Sequence, residues 1–313
     1  MSRGRYILRR LVQMIPVLIG VTIIVFLMVH LIPGDPASAM LGDQATDVSV
    51  ARVHKELGLD KPLYEQYFYF MRNLAELKLG DSIKFRVPVS SIIFERLQVS
   101  LLLVAITILL TIIISMPLGI LAAIKKDSLL DNIVRSTLMV TMVMPSFWTG
   151  IILILLFSIH FRILPVSGYG SNPVQHVVHL ILPALTISLG LAPILIRSLR
   201  TSILDTLRSD YIKTARAKGL EERSVMTIHV LRNALIPTVT LLGISVGFLM
   251  GGTVIIEKVF SLPGAGLLLI DSVSARDYPV VQAATLIFAL LVILVNLATD
   301  IIYSFIDPRV RYG

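Results

Sequence analysis

Six long apolar runs, separated by polar segments, restrict what this chain can fold into. Each is near the length of roughly 20 residues that an α-helix needs to cross the hydrocarbon core of a bilayer. The runs are Leu11 to Ile32, Val99 to Ile124, Thr137 to Ile159, Leu180 to Ile196, Ala234 to Ile256 and Val280 to Ile306. The fourth is short and contains Pro183 and Pro193, so we expect a kink there. The pattern predicts an all-α integral membrane protein with six transmembrane helices.

Composition agrees with this fold class and excludes several others. Hydrophobic residues make up 55% of the 313 positions and charged residues 15%, more apolar surface than a water-soluble core can absorb. The absence of cysteine excludes disulfides and thiolate metal sites. The net charge of +8 does not indicate nucleic-acid binding, because the basic residues gather between the apolar runs instead of forming one face.

The basic residues predict the orientation of the chain, because Lys and Arg accumulate in short cytoplasmic flanks. They lie before the first run, between the second and third, between the fourth and fifth, and after the sixth: Arg3, Arg5, Arg9, Arg10, Lys125, Lys126, Arg135, Arg197, Arg200, Arg208, Lys213, Arg216, Lys218, Arg223, Arg232, Arg309 and Arg311. The opposite short loops hold only Arg162, Lys258 and Arg276. We therefore expect residues 1–10 and 307–313 to be cytoplasmic termini.

This orientation divides the chain into a first helix at 11–32, an extracytoplasmic loop at 33–98 and a core of five helices at 99–306. The loop contains apolar residues that can form one side of a helix: Tyr64, Tyr67, Phe68, Phe70 and Met71. We favour a small cap packed on the bundle, and a helix at the membrane surface or a partner-binding site is the alternative.

The chain lacks the residues of an enzyme active site. It contains no phosphate-binding G-x-x-x-x-G-K-[ST] loop, no His-x-x-x-His pair and no paired carboxylates within the apolar runs. We therefore expect no bound ATP, cofactor or metal in this chain. Ionisable groups inside the runs are limited to His30 and Asp300 near their ends, which argues against a carrier driven by an ion gradient.

The fifth run contains three glycines on one helical face, Gly243, Gly247 and Gly251. Such spacing allows two helix backbones to approach closely. Packing within this chain is the simpler interpretation, and a seam with a second membrane subunit is the functional one.

A charged helix-Gly-helix insert lies between the fourth and fifth runs, in the segment 197–233. Ser209 is a candidate N-cap, Asp210 suits the first turn, and Gly219 suits a left-handed residue after the helix ends. Tyr211, Thr214, Ala215 and Lys218 share one face by their spacing. The insert either presents a docking surface in the cytoplasm or rests on lipid headgroups.

The segment Thr214-Ala-Arg-Ala-Lys-Gly-Leu220, followed by His229-x-Leu-Arg-Asn-Ala-Leu-x-Pro237, resembles the cytoplasmic EAA loop of ATP-binding-cassette (ABC) importer permeases in the dipeptide, oligopeptide and nickel branch. Further segments are similar to that branch: Tyr6-Ile-Leu-Arg-Arg, Leu31-Ile-Pro-Gly-Asp-Pro36, Met144-Pro-Ser-Phe-Trp148, Leu164-Pro-Val-Ser-Gly-Tyr-Gly170, Gly251 to Phe260, Asp277-Tyr-Pro279 and Ile306 to Tyr312. The general motif has Glu-Ala-Ala where this chain has Lys213, Thr214 and Ala215, so nothing can be argued from the motif's glutamate.

The resemblance implies the type I importer permease fold (MetI-like), in a bacterial inner membrane. It also implies a coupling helix, with Tyr211, Thr214, Ala215, Lys218, Gly219 and Leu220 at the contact with a cytoplasmic ATPase subunit. The implied partners are a second homologous permease, two ATPases that bind ATP and magnesium, and an extracytoplasmic substrate-binding protein. Asp271, Arg276 and Asp277 are candidate contacts for the binding protein, although ordinary exposed loop charges explain them equally well.

The resemblance favours di- and oligopeptides as the substrate, and nickel, metal chelates or glutathione-like compounds are the alternatives. Two hypotheses of other classes remain, a secondary carrier and a membrane anchor or receptor that transports nothing. Uptake that persists after ATP depletion with the ion gradient intact would favour the carrier.

Overall fold

The computed structural model describes residues 3–31 and 60–306 and, between these ranges, residues 38, 46–48, 50, 51 and 54. The helices that bear on the fold and the site are α1 (Arg3–Leu31), α2 (Leu63–Ala75), α3 (Val89–Ile124), α4 (Leu129–Val143), α5 (Ser146–Leu153, continued by a π-helical stretch Ile154–His160), α6 (Pro173–Leu207), α7 (Asp210–Ala217), α8 (Glu222–Ser224, continued by a π-helical stretch Val225–Leu231), α9 (Arg232–Val259), α10 (Ala265–Ser274) and α11 (Tyr278–Ile306). Residues 307–313 and most of 32–59, which the sequence assigns to the tail and the first loop, lie outside the described part.

The centre of the molecule is the pair α3 and α6, which make the most extensive helix contact. Gly119 on α3 allows this approach, because a Cβ there would lie 3.0 Å from the side chain of Leu199. The main apolar core includes Leu103 and Leu182 of these two helices with Ile256 and Phe260 at the end of α9. In all, five helices of the described part are long and apolar enough to cross a membrane, or six with a bent pair.

The bent pair corrects the sequence prediction for the third run, which is not one helix over 137–159. α4 ends at Val143, and the following helical segment Ser146–His160 leaves at an angle of 111°. Met144 between them has an extended backbone, with ψ of 126°. Pro145 explains the break, because a proline ring disfavours the α conformation of the residue before it. The run is therefore divided between two helices of different direction.

The fourth run also differs from expectation, since α6 extends well beyond Leu180–Ile196 to Pro173–Leu207. Its start is capped by Asn172, whose side chain accepts a hydrogen bond of 2.9 Å from the Gln175 amide. Pro183 and Pro193 both lie inside the helix and are buried. Each proline removes one backbone hydrogen bond, and the helix continues through both positions.

Helix α2 packs on α1, as expected for a cap on the bundle. The rings of Tyr67 and Phe70 lie 5.4 Å and 5.9 Å from that of Phe26. Tyr67 also shares a hydrogen bond of 2.8 Å with Thr22, which binds the polar end of the ring. Tyr64 and Phe68 are 72% and 68% exposed, so only one side of the helix takes part in this packing.

The three glycines of the fifth run have different surroundings. A Cβ at Gly243 would overlap the side chain of Thr299 on α11, and one at Gly247 would lie 3.1 Å from Asn296 Oδ1. A Cβ at Gly251 would meet no described atom within 4 Å. Close packing within the chain therefore accounts for the first two glycines but not for the third.

We predict opposite effects of alanine at the two ends of this motif. Gly243→Ala forces Thr299 away and should destabilise the chain by about 1–3 kcal/mol through overpacking. Gly251→Ala meets open space and should be neutral, or stabilising by up to about 1 kcal/mol, because alanine is the better helix former. Thermal unfolding of the two variants, purified in the same detergent, tests the difference. Equal effects would contradict the packing of Gly243 on α11.

Candidate functional site

The charged insert between α6 and α9 forms a short helix with well-defined ends. Ser209 precedes α7 in an extended conformation, with ψ of 149°. Its hydroxyl donates a hydrogen bond of 2.6 Å to the Thr206 carbonyl, so Ser209 lies at the N-cap position without capping through its side chain. Gly219 has φ of +78°, as its position after the helix predicts. The backbone thus turns sharply between α7 and α8.

One face of α7 packs against the chain itself. Ile212 is fully buried and Ala215 is 7% exposed, within an apolar cluster beneath α7. The other buried members of this cluster are Ala123, Leu199, Ile203, Val225, Val230 and Ala234, which belong to α3, α6, the π-helical stretch and α9. This corrects the expectation that Ala215 lies on the exposed face, because its small side chain permits close packing against the chain's own helices.

The rest of the α7 surface and the residues just after the helix are exposed and offer a mixed surface. Thr214 and Lys218 are exposed, as are Tyr211 and Leu220, at 46% and 43%. The Tyr211 hydroxyl accepts a hydrogen bond of 3.1 Å from Asn233 Nδ2. Since Asn233 belongs to α9, the aromatic ring is held against the start of that helix.

An ion pair spans the turn at Gly219. The Arg216 guanidinium donates two hydrogen bonds to the Glu222 carboxylate, of 2.6 Å from Nη2 and 3.0 Å from Nε. Both side chains are exposed, so the pair adds little to stability, yet its bidentate geometry restricts the angle between α7 and α8. The sequence analysis missed this pair, although opposite charges on either side of a helix-ending glycine are a usable signal.

A second ion pair, also missed, joins α4 to α6. Arg200 donates from Nε and Nη2 to the two oxygens of Asp131, at 2.8 Å and 2.6 Å. Asp131 is fully buried, and its carboxylate also accepts from the Asp127 amide at 3.0 Å. The pair fixes the first turn of α4 beside the C-terminal half of α6.

The three residues proposed as contacts on the other side of the protein differ in exposure. Asp271 and Arg276 are exposed, but Asp277 is fully buried. The Asp277 carboxylate accepts hydrogen bonds from the Ser82 hydroxyl and, at 3.2 Å, from the amides of Ile83 and Lys84. Asp277 is therefore not an exposed contact, and it anchors a turn of the first loop to the start of α11.

Glu257 near the end of α9 is a further buried carboxylate that the sequence analysis missed. It accepts hydrogen bonds from the Ser100 hydroxyl of α3 at 2.6 Å and from the Leu267 amide at 2.8 Å. Ser100 in turn accepts from the Ala265 amide at 2.9 Å. The carboxylate thus lies at the N-terminus of α10, where the helix dipole favours negative charge.

Comparison with known proteins places this geometry in a family. Residues 115–312 match the family described as binding-protein-dependent transport system inner membrane component. Residues 3–104 match the N-terminal family of the same transport-system membrane components.

Relatives of known name align over nearly the whole chain. The dipeptide transport system permease protein DppB of Escherichia coli (strain K12) is 38% identical, with 98% of this chain and 99% of the relative covered. The glutathione transport system permease protein GsiC of Escherichia coli O6:H1 is 41% identical with the same coverage.

Among solved structures, a chain of the MetNI methionine ABC transporter in an inward-facing conformation is similar in fold. Its TM-score is 0.55 at 16% identity, with 70% of this chain and 97% of that chain covered. The fold is therefore of the MetI-like type. Family, relatives and fold together identify the chain as a member of the binding-protein-dependent inner membrane component family, in the peptide branch of the ABC importer permeases.

Proposed function

We propose that this chain forms half of a translocation path for di- or oligopeptides, together with a second homologous permease, and that two cytoplasmic ATPases drive it through α7. Both termini lie in the cytoplasm, and an extracytoplasmic binding protein delivers the substrate. ATP and magnesium bind to the ATPases and not to this chain. The observation that carries the proposal is α7 itself, an exposed helix whose other face is buried between two long helices.

The packing beneath α7 supports a role in transmitting force. Ile212 and Ala215 lie in one apolar cluster with Leu199 of α6 and Ala234 of α9. A displacement of α7 by a bound ATPase therefore pushes on both helices at once, because a close-packed cluster is nearly incompressible. The left-handed backbone at Gly219 sets the angle between α7 and α8, and the exposed Arg216–Glu222 pair adds a weak restraint on it. The cytoplasmic halves of α6 and α9 then move with α7 as one rigid body.

Contacts at the opposite ends of the helices carry such a movement across the chain. Glu257 ties α9 to α3 and to α10, and Asp277 ties α11 to the turn at 82–84. The exposed Asp271 and Arg276 lie on or just after α10, so a protein bound there contacts an element joined to α9. This connection supports a binding protein docking beside α10 and sensing the state of the path.

The names of the relatives support a peptide substrate. One relative is named for dipeptide transport and another for glutathione, which is itself a tripeptide. A glutathione-like compound is therefore the first alternative, and nickel or another metal chelate is the second. Competition for uptake of a labelled dipeptide by excess glutathione or nickel chelate distinguishes them, because only ligands of the same system compete.

We predict that Thr214→Trp abolishes coupling without unfolding the chain. Thr214 is exposed, so the larger side chain fits the isolated subunit but blocks close seating of α7 in an ATPase groove. Substrate-stimulated ATP hydrolysis by the reconstituted complex should fall at least about tenfold, the equivalent of ~1.4 kcal/mol of docking free energy.

Thr227→Trp is the matched control. Thr227 is also exposed and, like Thr214, donates its hydroxyl hydrogen bond to the carbonyl four residues earlier, at 2.8 Å against 2.9 Å. It lies outside α7, so its replacement should leave hydrolysis and membrane level unchanged. Equal loss in both variants would show that α7 is not the specific contact.

A second prediction concerns the left-handed turn at Gly219. An L-residue in this conformation costs about 1–2 kcal/mol, and asparagine tolerates it best. Proline fixes φ near −65° and removes the hydrogen bond of 2.9 Å from the Gly219 amide to Arg216. Uptake should therefore decrease in the order Gly219→Asn, Gly219→Ala, Gly219→Pro at equal membrane levels. A different order of uptake among the three variants would contradict a requirement for the left-handed turn at Gly219.

A third prediction separates the two acidic residues near α10. Asp271→Lys changes an exposed charge and should raise the half-saturating concentration of binding protein by roughly two- to tenfold at unchanged maximal uptake. Asp277→Asn weakens a buried anchor and should lower the unfolding free energy by about 1–3 kcal/mol. Titration of binding protein against proteoliposomes, with thermal unfolding of both variants, checks this division. A stability loss in Asp271→Lys would show that it too is structural.

A further inference from the structure

A cavity of about 490 Å³ lies between α4 and the cytoplasmic half of α6 and plays no part in the proposed coupling. Its charged wall carries Lys126, Arg135, Arg197 and Arg200 against one acidic side chain, Asp127. The positive-inside distribution of basic residues places this wall at the cytoplasmic face of the membrane.

The charges of the cavity do not balance. Lys126 lies 3.4 Å from Asp127, and Arg200 is bound to the buried Asp131. Within the part of the chain that the structure describes, Arg135 and Arg197 form neither an ion pair nor a side-chain hydrogen bond. Arg135 also interacts electrostatically with the buried Asp131, which Arg200 already pairs, so the cavity keeps a net positive charge that favours an anion. Guanidinium groups bind phosphate in a bidentate manner and lose little hydration in doing so.

The other walls of the cavity are apolar and lead into a second groove. Leu138, Met139 and Met142 line the cavity on the turns of α4 that follow Arg135. Met139 also lines a groove of about 620 Å³ whose remaining walls are Val140, Val143, Met144, Pro145, Phe147 and Trp148. The bend between α4 and α5 creates this groove, since its walls come from the end of α4 and the start of α5. The charged cavity and the open apolar groove therefore adjoin at Met139.

This shape fits an amphiphile better than a small ion. A free phosphate would use the two arginines but leave the apolar groove empty, and a short peptide would bring a carboxylate without a long hydrocarbon chain. A phospholipid brings a phosphodiester for the arginines and an acyl chain for the groove. Trp148 and Phe147 are 45% and 47% exposed, as expected for aromatic side chains in contact with lipid.

We propose that the cavity between α4 and α6 binds an anionic phospholipid of the cytoplasmic leaflet, with the phosphate between Arg135 and Arg197 and an acyl chain along Met139, Val143 and Trp148. The bound lipid fills the space opened by the bend at Met144-Pro145. It braces α4 against α6 next to the Asp131–Arg200 pair.

The full-length chain, purified in detergent, tests the proposal by native mass spectrometry with phosphatidylglycerol and phosphatidylcholine of identical acyl chains. Phosphatidylglycerol should bind more tightly. Arg135→Gln or Arg197→Gln should weaken it about fivefold each and the double variant roughly thirtyfold, from the usual contribution of one basic residue near an anionic lipid surface. Phosphatidylcholine binding should change little.

The control is Arg208→Gln with Arg223→Gln, which removes two exposed cytoplasmic arginines outside the cavity and leaves its lining intact. Equal loss in this control would reduce the effect to general surface charge and overturn the proposal. Equal binding of the two lipids would overturn it as well. Glycerol 3-phosphate or inorganic phosphate that competes as well as the intact lipid would assign the arginines to a free anion. Displacement by a millimolar dipeptide would assign the cavity to substrate.

Discussion

The structure depends on one constraint, that a charged group removed from water must find its partners within the chain. Among the residues that the structure describes, three carboxylates are fully buried, those of Asp131, Glu257 and Asp277, and each accepts several hydrogen bonds. Three buried hydroxyls, on Thr107, Thr238 and Ser272, have no partner among the described residues. The difference follows from energy, since an unpaired buried carboxylate costs far more than an unpaired hydroxyl.

Each buried carboxylate lies where two or more helices meet near their ends. Asp131 joins α4 to α6, Glu257 joins α9 to α3 and α10, and Asp277 joins α11 to the turn at 82–84. Apolar packing between helices in lipid has little directional preference, whereas hydrogen bonds to a carboxylate fix position. These contacts therefore fix the register of the helix ends, so a change of state has to move the joined helices together.

The sequence predicts elements better than it predicts contacts. The six apolar runs and the helix that ends at Gly219 could be recognised because membrane thickness and left-handed backbone leave local signals. Asp277 and Glu257 could not be assigned, since their partners Ser82 and Ser100 lie 195 and 157 residues away. The prediction that Ala215 is exposed is wrong for another reason. Its spacing from Tyr211 and Lys218 fits one helical face, but spacing alone does not say which part of that face the chain buries.

Pro145 is a local signal for a break in the third apolar run, and the length of the run conceals it. A run of apolar residues predicts a span from its length, whereas the proline inside it predicts a break. The break at Met144 turns α4 away from α5 by 111° and exposes most of α4, of which only Asp131 is buried. A helix that contacts its own chain along so narrow a stripe leaves an apolar surface for a neighbour outside the chain. The arginines beside it favour a neighbour that is itself charged at one end and apolar at the other.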